Sequence, residues 1–234
     1  MAIDANDLAC ALFDLDGTLC DSDPVHYDAF DALARARGRP REGLTWTYFR
    51  EHIAGRANVD IFARLFPELT ASERATLASA KERAFRDALE TSTVTRTRGL
   101  TELLEALDAR GVTTCVVTNA PRANAEAMLT RLGLREYFGD RLVIGEECVR
   151  MKPDPAPYVE GMRRCGTENA RACVAFEDSP AGARAAVAAK IRTVGILSSQ
   201  TEEALVSAGC DLCVKDFAAP ALLEALGVAA TANR

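Results

Sequence analysis

Two kinds of pattern alternate along the chain. Continuous apolar runs predict strands over Leu8–Asp14, Val112–Thr118, Arg141–Gly145, Ala172–Glu177, Ile191–Leu197 and Leu212–Lys215. Between them, apolar residues recur every three or four positions, which predicts helices over Leu100–Ala109, Arg122–Leu132, Pro155–Cys165 and Gly182–Ala189. Strands alternating with helices imply right-handed crossovers and a mostly parallel sheet. Apolar strands without alternation fit a sheet covered on both faces.

One stretch breaks this rhythm. From about residue 22 to residue 92 no strand pattern occurs, and the periodicity is helical. Pro67 and Thr70 mark a stop and a restart, and Ser72-Glu73 leads into a long helix reaching about Glu90. The expected architecture is α/β: a Rossmann-like three-layer αβα core made of residues 1–21 and 93–234, with an inserted all-α helical cap, residues 22–92. The chain from about Ala229 onward reads as a frayed tail.

Composition narrows the function. Hydrophobic residues make up 48% and charged residues 26% of the 234 residues, ordinary for a globular protein. The net charge of −6 argues against a nucleic-acid or anionic-membrane partner, but not against a small anionic substrate in a locally positive pocket. No apolar run has the length of a membrane span, and the N-terminus shows no basic segment followed by an apolar one. The eight cysteines sit mostly in apolar runs and read as small buried hydrophobes in a reducing cytoplasm. Cys210 and Cys213 form a CxxC, but no second pair or nearby His completes a zinc site.

The chemistry gathers at strand ends. Asp14 and Asp16, in Asp14-Leu15-Asp16-Gly17-Thr18, close the first strand. A calcium loop starting at Asp14 fails, because Leu19 and Val25 stand where a glycine and a carboxylate are needed. A solvated turn and a nucleophile with an acid/base partner both remain open for the motif alone. The second strand ends in Thr118-Asn119, a hydroxyl and an amide suited to phosphate oxygens. Lys152 precedes Pro153 after the third strand, and Glu177-Asp178 closes the fourth. The last pair could cap a helix or supply oxygen ligands to Mg²⁺. In a doubly wound sheet these strand ends share one crevice, and clustered carboxylates there call for a divalent cation.

These motifs make the sequence resemble the haloacid dehalogenase-like superfamily, in the group with a helical cap after the first motif. FDLDGT (13–18), VVTN (116–119), KPDP (152–155) and FEDSPAG (176–182) match its four motifs in order. The resemblance implies that Asp14 is the nucleophile that forms an aspartyl-phosphate and Asp16 the general acid and then base. It implies that Thr118, Asn119 and Lys152 hold the phosphate. It implies Mg²⁺ on the Asp14 carboxylate, the Asp16 carbonyl and Asp178, with Glu177 nearby or directly bound. Two departures lie away from the chemistry: Lys190 stands where a helix-ending Gly is usual, and Arg96-Thr97-Arg98 replaces a proline-containing approach to Gly99.

Asp16 argues against dehalogenases and phosphonatases, which lack it. The expected activity is a Mg-dependent phosphatase acting on a small phosphorylated metabolite, a sugar phosphate or similar. A β-phosphoglucomutase-like mutase is the alternative. Asn58 and Ile61 stand where those mutases carry an Arg and a Ser that grip a distal phosphate. A non-catalytic phosphate-binding protein is the alternative of another class. His26 at the hinge, and Arg56 and Asn58 near the cap tip, are the candidate specificity residues, each with a surface role as its alternative. Trp46 and Tyr48 read as cap core.

Overall fold

The computed structural model describes residues 7–38 and 44–228. The expectation for the tail from Ala229 onward therefore lies outside the described residues. The strands are β1 (Cys10–Phe13), β2 (Thr113–Thr118), β3 (Leu142–Ile144), β4 (Cys173–Glu177), β5 (Arg192–Ile196) and β6 (Leu212–Val214). They pair in parallel in the order β3-β2-β1-β4-β5-β6. The chain winds outward from β1 to one edge, then returns to build the other half from β4. That reversal leaves a crevice at the carboxyl ends of β1 and β4.

Four helices follow β1: α1 (Asp23–Ala36), α2 (Trp46–His52), α3 (Asn58–Leu65) and α4 (Ala71–Thr91). The rest flank the sheet: α5 (Leu100–Ala109), α6 (Arg122–Arg131), α7 (Arg135–Phe138), α8 (Ala156–Arg164), α9 (Pro180–Ala188), α10 (Glu202–Ser207) and α11 (Pro220–Ala225). No described helix is long and apolar enough to cross a membrane. Most predicted elements agree to within two residues. The helix expected from Gly182 starts earlier, at Pro180, because Ser179 caps it by accepting from the Gly182 N–H and a proline fits the first turn.

Side chains alternate across the sheet, so each face has its own core. Ala11, Phe13, Val116 and Phe176 pack on one face, where Phe13 stacks on Phe176 with ring centroids 4.7 Å apart. Leu12, Cys115, Val117 and Ala175 pack on the other, with Tyr158 and Met162 of α8. The cap helices bury a separate cluster around Phe30, Phe49, Phe62 and Phe66. Trp46 is only partly in it: the ring stacks on Phe49 but is 42% exposed. All eight cysteines are free thiols, and Cys210 and Cys213 pack with Ala183 and Leu205.

The outgoing and returning chains are tied together where cap meets core. The Thr97 N–H donates to Leu19 O (2.9 Å) and its hydroxyl to Thr18 O (2.7 Å). Arg96, one of the departures noted above, holds the returning chain by donating to the carbonyls of Leu132 and Gly133. At the far side, the Arg50 guanidinium of α2 donates to Ser199 O (2.7 Å), bridging cap and core.

Candidate active site

β1, β2 and β4 end side by side, with Phe13 in register with Val116 and Phe176. The sheet thus sets Asp14, Thr118 and Glu177 next to one another although they are far apart in sequence. Lys152 joins them from the loop after β3. Its ammonium donates to Asp14 Oδ1, Glu177 Oε1 and Val117 O, each at 2.6 Å. The Asn119 side chain braces that loop by accepting from the Lys152 N–H and donating to its carbonyl, both at 3.2 Å.

Asp14, Glu177 and Asp178 each offer an oxygen within 4.8 Å of the others, and all three are buried. The Tyr158 hydroxyl donates to Glu177 Oε1 (2.5 Å), and the Ser199 hydroxyl donates to Asp178 Oδ2. Burial pushes the Asp14 carboxyl well above the usual range, and Glu177 adds to this, against the pull of Lys152. Burial does the same to Asp178, reinforced by Asp14 and Glu177. Burial alone would lower Lys152, but Asp14 and Glu177 outweigh it and push it up to about 12. Three buried carboxylates share one buried ammonium. Their hard oxygen donors and their excess of negative charge fit a divalent cation.

Gly17 permits this packing. Its φ is +74°, and a Cβ there would lie 2.2 Å from Asp178 Oδ2. Any side chain would therefore meet both strain and collision.

Asp16 faces the cap. Its Oδ1 accepts from the Ser22 hydroxyl (2.5 Å) and lies 3.1 Å from His26 Nε2. Lys81 of α4 places its ammonium 2.8 Å from His26 Nδ1. Since the ammonium can only donate, Nδ1 accepts, and Nε2 carries the proton it gives to Asp16. Burial would raise the Asp16 carboxyl, but the His26 and Ser22 hydrogen bonds hold it below the usual range. His26 thus faces the site, sandwiched by Phe85 at a centroid distance of 3.9 Å, and is not a surface residue.

The cap closes over a cavity of about 120 Å³ lined by Asp14, Asp16, His26, Lys81, Thr118 and Lys152 among others. Asn58 reaches it, but its amide donates to Glu82 Oε1 (2.6 Å). Arg56 also lines it, is exposed, and donates to Glu51 O (3.3 Å). Gly55 brings the cap loop against Ser179, where a Cβ would stand 3.0 Å from the Ser179 Cβ.

Several residues escaped the sequence reading. Tyr158 and Ser199 hold Glu177 and Asp178 from neighbouring elements. Lys81 and Glu82 are buried in the middle of the long cap helix. A signal existed for Lys81: it lies in the i, i+4 row Leu77, Lys81, Phe85, Leu89, all buried. Glu82 accepts in addition from Lys81 (3.1 Å) and from the buried Asn124 of α6 (2.5 Å).

Comparison with known proteins agrees with this geometry. The family model described as haloacid dehalogenase-like hydrolase matches residues 8–190. The chain is similar to a validoxylamine A 7'-phosphate phosphatase of Streptomyces hygroscopicus subsp. limoneus, 34% identical over 88% of this chain and 93% of that one. It is also similar to a phosphorylated carbohydrates phosphatase of Thermotoga maritima, 28% identical over 89% of this chain and 94% of that one. Among solved structures it resembles CbbY of Rhodobacter sphaeroides in complex with phosphate, at 25% identity and a TM-score of 0.79, covering 94% of this chain and all of that one.

Proposed function

Because the chain belongs to the haloacid dehalogenase-like hydrolase family, we propose that it is a Mg²⁺-dependent phosphatase of the sugar-phosphate type, working through an aspartyl-phosphate. The observation that carries this reading is the convergence of Asp14, Asp16, Thr118, Lys152 and Asp178 on one cavity beneath the cap. Relatives named phosphorylated carbohydrates phosphatase and hexitol phosphatase A support the substrate class.

In the proposed reaction, an Asp14 carboxylate oxygen bonds to phosphorus while the bond to the sugar oxygen breaks. Asp16 gives that leaving oxygen a proton. Asp16, now a carboxylate, takes a proton from water; the water oxygen bonds to phosphorus, the acyl-phosphate bond breaks, and Asp14 is restored. The hydrogen bonds Asp16 receives from Ser22 and His26 suit this second half, in which it must be ionised. Thr118 and Lys152 hold phosphate oxygens, with the backbone at Asn119, whose side chain is engaged with the Lys152 loop. Asp14, the Asp16 carbonyl and Asp178 would hold Mg²⁺, with Glu177 nearby, and the ion would neutralise charge on the transferring phosphoryl group. The stretch 22–92 acts as the cap that excludes water and selects the substrate, and 1–21 with 93–234 as the catalytic core.

A phosphatase is favoured over a mutase on a specific ground. Asn58 is hydrogen-bonded to an acidic partner and Ile61 is buried in the cap core, so neither grips a second phosphate inside the cavity. The test is phosphate release, with Mg²⁺, from hexose, pentose and glycolate phosphates and nucleotides, run beside Asp14→Asn. Release lost in the variant is the expected outcome. No release from any ester, together with conversion of β-glucose 1-phosphate to the 6-phosphate, would replace this reading with the mutase.

A further inference from the structure

The candidate active site occupies the carboxyl ends of the strands, and a different cluster occupies their amino-terminal side. Cys10 opens β1 and Cys173 opens β4, paired in register. Cys115 lies on β2, two residues beyond Thr113, the register partner of Cys10. All three face the side of the sheet covered by α8, and Cys165, at the C-terminal end of that helix, packs against them. The Cys165 thiol lies 3.8 Å from Thr113 O and within hydrogen-bonding reach of the Cys10 and Cys115 thiols, and Cys10 in turn reaches Cys173. Four thiols thus run in contact across three strands and a helix end.

Cys10, Cys115 and Cys173 are buried, whereas Cys165 is partly exposed. Hydrogen bonds from the Cys10 and Cys115 thiols hold the Cys165 thiol well below its ordinary value, against burial, and the Arg141 guanidinium helps. Those bonds to Cys165, with burial, push Cys10 and Cys115 up, so both keep their protons. A thiolate that solvent reaches, beside a second thiol able to displace its oxidised form, is the arrangement that hydroperoxides oxidise selectively. The other pair lacks it. Cys210 and Cys213 also touch, but burial raises both, Cys210 to about 12.

One helix joins the thiols to the active site. α8 ends beside Cys165, and its first turn carries Tyr158, whose hydroxyl holds Glu177 Oε1 at 2.5 Å. Between them, Gly161 lies so close to the sheet that a Cβ there would stand 2.9 Å from Val117 and 3.0 Å from Leu12. The helix is pinned at that point. Drawing its C-terminal end toward Cys10, to the ~2.05 Å of an S–S bond, therefore tilts the end that carries Tyr158.

We propose that Cys165 is a hydroperoxide-sensitive site that closes a reversible disulfide with Cys10, and that this link acts on the active site through α8. The Cys165 thiolate attacks one oxygen of hydrogen peroxide. The O–O bond breaks, sulfur takes a hydroxyl, and hydroxide leaves. Hydroxide removes the Cys10 proton, and the Cys10 sulfur bonds to Cys165 and expels the hydroxyl. Two electrons pass from the thiols to the peroxide. An external dithiol reverses the step, so in a reducing compartment the link is transient.

The experiment treats the full chain with equimolar hydrogen peroxide, blocks the remaining thiols and maps disulfides by mass spectrometry. Turnover of p-nitrophenyl phosphate with Mg²⁺ is measured alongside. A Cys10–Cys165 link should form, and turnover should fall by roughly tenfold, the scale of losing a group that orients a residue at a metal site. Dithiothreitol should reverse both. Cys165→Ser should form no such link and keep its turnover, while Cys213→Ser should respond as wild type does. Cys165 left as a thiol, or joined to another cysteine, overturns the site. A link without loss of turnover, or equal loss in Cys165→Ser, overturns the action through α8. That action rests on the phosphatase reading, but the mapping does not. If the ester is not hydrolysed, that reading fails on it, while the disulfide still stands or falls by mass. The rise in Tm with Mg²⁺ then decides the action on the site: oxidation should diminish it, and an unchanged rise overturns the coupling.

Discussion

Core and cap each bury a lysine beside acids, and they do so to opposite ends. In the core, Lys152 faces Asp14 and Glu177 with Asp178 alongside, so carboxylates outnumber the ammonium by three to one. In the cap, Lys81 faces the single carboxylate Glu82, whose other bonds come from two neutral amides, Asn58 and Asn124. The first cluster is unbalanced and suited to receive a cation. The second is already neutral and suited to hold geometry, passing Lys81 to His26 and His26 to Asp16.

That contrast can be broken, and the largest effect comes first. Asp14→Asn should lower turnover by more than about a thousandfold. It also relieves the carboxylate excess, so Tm should hold or rise; retained turnover with a lowered Tm would break the comparison on both counts. Chelation should abolish turnover and added Mg²⁺ restore it. By mass action the ion should raise the Tm of wild type more than that of Asp178→Asn; equal shifts would move the ion elsewhere.

Removing each lysine separates the clusters by stability. Lys152→Met leaves buried carboxylates with no offsetting ammonium and should cost about 3–5 kcal/mol in denaturant unfolding. Lys81→Met leaves Glu82 with both amides in place, and should cost about 1–3 kcal/mol. Reversed magnitudes would refute the assignment of the core as the unbalanced cluster.

Acid sharpens the cap's side of it. Burial would raise the Glu82 carboxyl, but Lys81, His26 and the Asn58 hydrogen bond hold it below the ordinary value of 4.5. Its folded value is thus below its unfolded one. The stabilisation is present above about 4.5 and is lost as pH falls through the folded value. Glu82→Gln should flatten unfolding free energy against pH below 4.5; an unchanged slope would remove Glu82 from the acid response. The smallest effect lies outside both clusters. Lys190 has a φ of +66°, a left-handed conformation that favours glycine. Lys190→Gly should therefore stabilise by up to about 1 kcal/mol at unchanged turnover, and a loss of stability would show that the lysine side chain contributes packing.

The same contrast explains what could be read in advance. Core residues such as Asp14, Thr118 and Asp178 end apolar strands, and a parallel sheet brings all such ends to one edge, so linear position was enough. Tyr158 contacts Glu177 from within α8, where it sits among apolar residues and reads as one of them. The cap offers no common edge. Whether His26, Arg56 or Asn58 faced the cavity depended on how four helices rotate against one another, which periodicity leaves open. Lys81 on an apolar row was legible, but its partners Glu82 and Asn124 meet only through α4 packing on α6, across two regions of chain.

The winding of the sheet also bears on how the protein is made. β1 lies in the interior of the finished sheet, between β2 and β4, and precedes the other described strands along the chain. β2 can cover one side once the cap has emerged, but β4 begins only at Cys173. Until Cys173 has emerged, this strand, buried along its whole length in the finished fold, therefore carries a bare hydrogen-bonding edge, open to any other strand in reach. The free edge of β1 is the vulnerable point of the nascent chain, and a ribosome stalled before Cys173 would display it.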